Sequence, residues 1–175
     1  MAKISNTAAY PSISNLDSAD YLVLTDAENE LKTKTATIEQ IQTLFGIDTL
    51  VAKVTVNTGS LLTLGNTPIT LIAAPGANKV IDLISVSQYL DAGTTQFNFG
   101  NNLEVKIGAT TFGTLFAQSA NFATDLVSKI GVGGSTYVIE QNTAVTLETA
   151  ANPSQGNGTM FFNIFYRVLN VGTSF

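Results

Sequence analysis

The chain contains no cysteine, no histidine and no tryptophan. Without Cys there is no thiol nucleophile, no disulfide and no thiolate ligand for a soft metal. Without His the usual proton shuttle near neutral pH is missing, and a Ser–His–Asp triad cannot be assembled. Charge is scarce as well. Asp, Glu, Lys and Arg make up 12% of the residues, about half of the ~25% of a typical soluble domain. The eight Lys and Arg are scattered, no two adjacent, and the net charge is −5, so there is no basic footprint for nucleic acid. No apolar run nears the ~18 residues of a membrane span. The opening "MAKISNTAAY" has one Lys and no apolar block behind it. Neither membrane insertion nor a secretory leader is expected, and synthesis is expected in the cytoplasm.

What is present is a chain of 175 residues, 45% of them hydrophobic. That suffices for one ordinary core with a small appended unit. A surface this poor in charge is either coated with Thr, Asn, Ser and Gln or covered by partners, and both apply to this composition. The charges are unevenly spread: residues 1–50 carry 10 of the 21, and residues 51–175 the other 11. The shift places a boundary near Gly46 to Val51 and divides the chain into 1–50 and 51–175.

In the first part, "YLVLTD" (Tyr21 to Asp26) is rich in strand formers and "LKTKTAT" (Leu31 to Thr37) alternates, with "AENE" as the turn between them. Thr37 with Gln40 three residues on forms a capping box. Ile38, Ile41, Leu44 and Phe45 then fall on one helical face, and Gly46 stops the helix. Strand, turn, strand and a two-turn helix hold too few apolar residues to be stable unaided, so the helical stripe needs a surface to bury against.

The second part is β in pattern. Strands are predicted at Val51 to Asn57, Pro68 to Ala74, Lys79 to Leu90, Thr95 to Phe99, Leu103 to Ile107, Thr136 to Gln141, Ala144 to Thr149 and Thr159 to Leu169, separated by "TGS", "LGNTP", "APGAN", "DAG", "GNN", "GVGGS" and "NPSQGNG". About eight strands at this spacing predict a jelly-roll-like β-sandwich, so the whole chain reads as mainly β with a hairpin-plus-helix unit in front. "FAQSANFATDLV" (Phe116 to Val127) fits a short helix over an open end or one more strand. The last strand is apolar on both faces: Met160, Phe162, Ile164, Tyr166 and Val168 on one, and Phe161, Phe165 and Leu169 with Asn163 and Arg167 on the other. One face fills the sandwich. A subunit interface is the simplest cover for the other, with Phe161, Phe165 and Leu169 as candidates; the competing cover is the 116–127 segment of the same chain.

Chemistry-bearing clusters are few. Asp26, Glu28 and Glu30 alternate in the first hairpin, but the Gly at a sharp turn that a calcium loop uses is missing, so they read as a solvated turn. "GVGGSTYV" and "APGANK" lack the spacing of a phosphate-binding loop and read as β turns. A glycosidase needs two carboxylates across a cleft; among Asp82, Asp91, Glu104, Asp125, Glu140 and Glu148 nothing in the spacing selects a pair. The expectation is a non-enzyme without cofactor or metal.

The stretch "YPSISNLDSADYLVLTDAENELKTKTATIEQI" resembles the N-terminal segments of tailed-bacteriophage virion proteins. "LGNTPITLIAAPGANKVIDLISV", "YLDAGTTQF" and "NPSQGNGTMFFNIFYRVLNV" are similar to a β-rich module of phage head fibres, capsid decorations and tail appendages. The resemblance implies a structural component of the virion that docks on capsid, portal or connector, or tail proteins through its N-terminal unit and projects a module often found as a homotrimer. Tyr10, Pro11, Tyr21, Ile38, Ile41 and Phe45 are the docking candidates under that reading. The alternative is a receptor- or glycan-binding module of a tail appendage, with "GTT" (Gly93 to Thr95), "GNN" (Gly100 to Asn102) and "GVGGS" as a tip that meets a host-surface glycan.

Overall fold

The computed structural model describes residues 20–26, 32–38, 40–41, 49–130 and 140–172. Contacts divide the chain into two units, Met1–Asp48 and Thr49–Phe175.

In the first unit β1 (Tyr21–Asp26) and β2 (Lys32–Thr37) form an antiparallel pair running from Tyr21↔Thr37 to Asp26↔Lys32. The capping box closes at its end. Gln40 Oε1 accepts from the Thr37 N–H at 2.9 Å, and Thr37 Oγ1 accepts from the Gln40 N–H at 3.1 Å. Each side chain thereby satisfies a backbone donor that a helix start leaves open. Ile38, Gln40 and Ile41 are helical, and the Ile38 N–H donates to the Asp20 carbonyl at 3.0 Å, which ties the helix start to the hairpin. Leu22 and Val23 point to opposite faces of β1, yet both are exposed, Val23 by 71%.

The second unit is a sandwich of eight strands: β3 (Leu50–Val56), β4 (Ile69–Ile72), β5 (Lys79–Asp91), β6 (Leu103–Ile107), β7 (Thr110–Leu115), β8 (Leu126–Ile130), β9 (Val145–Thr149) and β10 (Thr159–Asn170). They make two four-stranded antiparallel sheets, ordered β3-β10-β5-β8 and β4-β9-β6-β7. The pairs β3/β10, β4/β9, β5/β8 and β6/β7 are all neighbours. This unit is therefore one long antiparallel hairpin with its tip at β6–β7, wrapped over two sheets, which is the jelly roll. Val56, Val86, Leu90, Met160, Phe162 and Ile164 from the first sheet meet Leu103, Val105, Ile107, Leu147 and Phe112 from the second in one core.

Two predicted strands differ. Thr95 to Phe99 is irregular, although Phe97 and Phe99 are buried as alternation requires. Its backbone is bonded to loop partners instead of a ladder: the Phe99 N–H donates to Asn121 Oδ1, the Asn98 N–H to the Gln155 carbonyl, and the Thr95 carbonyl accepts from the Asn157 N–H. Thr136 to Gln141 lies mostly outside the described residues, and its end, Glu140–Gln141, is not strand. Two others take their place: β7, which was not predicted, and β8, which begins at the end of the 116–127 segment. In β7, Phe112 is an extra residue opposite the Val105/Lys106 step of β6, and this bulge turns both Phe112 and Gly113 inward, breaking the period of two. In β8 the pattern is inverted, with Val127 outward and Ser128 on the inner side. The 116–127 segment is both of its alternatives in succession. It holds a one-turn helix, α2 (Ala117–Ala120), and then the start of β8. An unpredicted helix, α1 (Thr58–Leu62), follows β3; Asn57 Oδ1 caps it by accepting from the Ser60 N–H at 3.0 Å, and Leu61 and Leu64 are buried.

Gln88 stands out in the core. It lies on the inner side of β5 between Val86 and Leu90, is 1% exposed, and among the described residues neither its Nε2 nor its Oε1 has a partner. A buried amide without partners costs roughly 1–3 kcal/mol. Gln88→Met keeps the length and removes the amide. It is expected to raise the melting temperature by several degrees; a fall in a thermal scan would show that the amide is bonded in solution.

Candidate functional site

Three surfaces of the second unit are candidates: the outer face of each sheet and the end where four connections meet.

The outer face of β3-β10-β5-β8 follows from the register. One row runs Thr55–Phe161–Tyr89–Val127, the next Lys53–Asn163–Ser87–Lys129, and the third Val51–Phe165–Ser85. Phe161 and Phe165 are each 38% exposed and Val127 67%. The Tyr89 and Phe161 rings stack with centroids 5.8 Å apart. Tyr89 Oη donates to Asp125 Oδ2 at 2.8 Å, and Asp125 Oδ1 accepts from the Ala92 N–H at 3.0 Å. The Ala92 N–H first and the Tyr89 hydroxyl second hold the Asp125 carboxyl below its ordinary range; its bond to Asp125 raises the Tyr89 phenol. These bonds fix the Tyr89 ring beside Phe161. The 116–127 segment thus touches the rim of this face without burying Phe161 or Phe165. Leu169 is half-buried, beyond Tyr166, where the pairing of β10 with β3 ends. Nearby, Arg167 forms an ion pair with Asp82 through Nε and Nη2.

The outer face of β4-β9-β6-β7 is different in kind. Its rows read Thr70–Thr146–Lys106–Thr111 and Glu148–Glu104–Thr114. Here the structure brings together two carboxylates that spacing did not select: Glu104 is directly cross-strand from Glu148. Lys106 Nζ bridges them at 3.3 Å and 3.1 Å, while Thr146 and Thr111 hydroxyls donate to Glu148 and Glu104. The bond to Glu148 chiefly, and that to Glu104, hold the Lys106 ammonium above the usual lysine range, against the effect of desolvation. The bridging ammonium offsets the repulsion of two like charges placed opposite each other. This is a half-solvated polar face, legible from "LEVKI" and "VTLET" only once β6 is known to pair with β9.

The connections 57–68, 92–102, 116–125 and 150–158 meet at one end. Gly65 N–H donates to Asn152 Oδ1, Thr58 Oγ1 to the Gly158 carbonyl, Asn98 Nδ2 to Ser154 Oγ, Asn157 Nδ2 to Thr94 Oγ1, and Ala117 N–H to Asn102 Oδ1. Gly93 sits so close to this junction that a Cβ would lie 1.5 Å from the Asn157 carbonyl oxygen. Of the three loops expected at a shared tip, Gly93 to Thr95 and Gly100 to Asn102 are here. "GVGGS" lies outside the described residues, and Asn142, further along the same connection, bonds to the Gly76 N–H of the β4–β5 connection, at the other end.

Among the docking candidates, Tyr10, Pro11 and Phe45 lie outside the described residues. Tyr21 is the first residue of β1, and Ile38 and Ile41 are half-buried on the helical turn. Exposed Leu22 and Val23 were not among them, although the run "YLVL" carries that signal. Asp26 ends β1 opposite Lys32, while Glu28 and Glu30 are outside the described residues. Among the described residues no group of three or more Asp or Glu could hold a metal ion, and no helix is long and apolar enough to cross a membrane.

No family model matches the sequence, and no curated protein matches it. Among solved structures, a chain of the cyanophage Pam1 capsid asymmetric unit is similar, with a TM-score of 0.46 and 18% identity over 69% of this chain and 84% of that one.

Proposed function

We propose that the chain is a non-enzymatic structural component of a tailed-phage particle, of head-fibre or capsid-decoration type. It docks on other virion proteins through residues 1–48 and projects the sandwich as a homotrimer. The observation that carries the assembly role is the contrast between the two outer faces. One is threonines and paired charges and needs no cover. The other sets Phe161, Tyr89 and Val127 on one side and Val51 and Phe165 on the other side of a polar row, Lys53–Asn163–Ser87–Lys129, and leaves the apolar side chains partly exposed, as a partner-covered face would. Closed cyclic assembly buries such a face without leaving a propagating patch. The particle assignment is supported by the resemblance of the N-terminal segment, and the docking role by a hairpin whose Leu22 and Val23 are exposed on both faces.

The test is a chain beginning at Thr49, which keeps β3 whole. It is expected to fold as a β-rich, cooperative unit and to fail to join particles when supplied in place of the full chain. Normal incorporation would remove the docking role from residues 1–48.

A further inference from the structure

We infer that the free edge of β3 takes an extended polypeptide strand of another protein, added antiparallel to the β3-β10-β5-β8 sheet, with a carboxylate side chain opposite Lys53. In that sheet β10 and β5 are interior, and no described strand pairs with the far side of β3. Its seven residues pair with β10 without interruption, from Met160↔Val56 to Tyr166↔Leu50. The other edges are blunted or shorter. β4 has four residues and a bulge at Leu71, β7 is bulged at Phe112, and β8 has five residues. A long, regular edge without bulge, Gly or Pro keeps backbone N–H and C=O groups in series, which is a template for one more strand. Such a series is matched by another polypeptide backbone, not by a small ligand.

The core is also open along this edge. Inner-facing Phe162 and Ile164 of β10 are 1% and 0% exposed, whereas their cross-strand partners Val54 and Ala52 are only half-buried and Leu50 is 46% exposed. A further strand with apolar residues at alternate positions finishes burying them.

Lys53 sets the chemistry of the strand's outer side. It is exposed between Val51 and Thr55, and among the described residues it has no ion-pair partner. An Asp or Glu directly opposite it gains a cross-strand pair. The same lysine argues against a second copy of β3 as the occupant. Opposite residues of an antiparallel pair share a face, so a self-pairing that uses all seven residues sets Leu50 opposite Val56 and Lys53 opposite the partner's Lys53. Like charges placed directly opposite destabilise the pair.

The inference goes beyond the assembly reading, since it uses the edge of the sheet and not its outer face, and it is tested on the full chain. The probes are three blocked octapeptides. One is Thr-Val-Thr-Val-Glu-Val-Thr-Val, the second has Lys in place of Glu, and the third has Pro in place of the Val before Glu. Hydrogen exchange of the β3 amides is followed by NMR. The Glu peptide is expected to slow exchange along β3 and to bind about fivefold more tightly than the Lys peptide. Lys53→Glu, a change at an exposed position, is expected to reverse that order with unchanged circular dichroism. The Pro peptide cannot complete the ladder and is expected to give no protection. No slowing by the Glu peptide at ~1 mM, an order of affinities that Lys53→Glu leaves unchanged, or equal protection by the Pro peptide overturns it. Protection of the edge already present in the free chain overturns it as well: growth with protein concentration assigns the edge to a second copy, and independence of concentration assigns it to the chain's own residues.

Discussion

Phe161→Glu or Phe165→Glu is expected to convert the assembled protein into monomers or aggregates while leaving the sandwich folded. Both residues are on the outer face of β10, each 38% exposed, so the fold itself tolerates a polar side chain there. The proposed interface would not. A carboxylate desolvated against a neighbouring copy without a partner costs about 2–5 kcal/mol, and each 1.4 kcal/mol is roughly tenfold in the dissociation constant. Lys53 and Lys129 lie in the adjacent row and soften the penalty only where the neighbour leaves them within reach. Thr70→Glu, on the outer face of the other sheet, is the control and is expected to change nothing. Light scattering coupled to size-exclusion chromatography reads the outcome. The wild-type chain is expected at three times its 18.4 kDa mass. A wild-type mass of one chain at micromolar concentration would contradict the interface.

Phe162→Ala, one residue along and facing the other way, is expected to have the largest effect on stability. Phe162 is 1% exposed, packed between β3 and β5 on the inner face. Truncating a buried Phe to Ala removes its transfer free energy and leaves a cavity, about 3–5 kcal/mol in total. Against a typical stability of 5–15 kcal/mol this is a large share. A urea melt followed by far-UV circular dichroism is expected to show the midpoint falling sharply at constant slope. A loss under about 1 kcal/mol would mean that the two sheets do not pack through β10 as described. The two substitutions together separate the faces of one strand: the inner residue governs folding, the outer one assembly.

Which residues of the last strand face inward was legible, because alternation over "TMFFNIFYRVL" sorts residues by face whatever the strand pairs with. The capping box at Thr37 and Gln40 was equally legible, because it depends on three residues of chain and no tertiary partner. What escaped depends on partners distant in sequence. The bulge at Phe112 exists because β7 must match the register of β6. Val127 points outward against its hydrophobicity because its strand pairs at the edge beside Tyr89. Thr95 to Phe99 alternates like a strand, but its donors and acceptors go to Asn121, Gln155 and Asn157 across the end of the sandwich. The Glu104–Lys106–Glu148 bridge likewise joins residues from different strands, and no local spacing announces it.

The most direct measurement is the protein composition of purified phage particles, read by mass spectrometry after density banding and a high-salt wash. The proposed role requires the full chain to stay with the particles in a fixed ratio to the major capsid protein. Its recovery only in the soluble lysate, with none in the banded particles, would contradict a structural role in the virion.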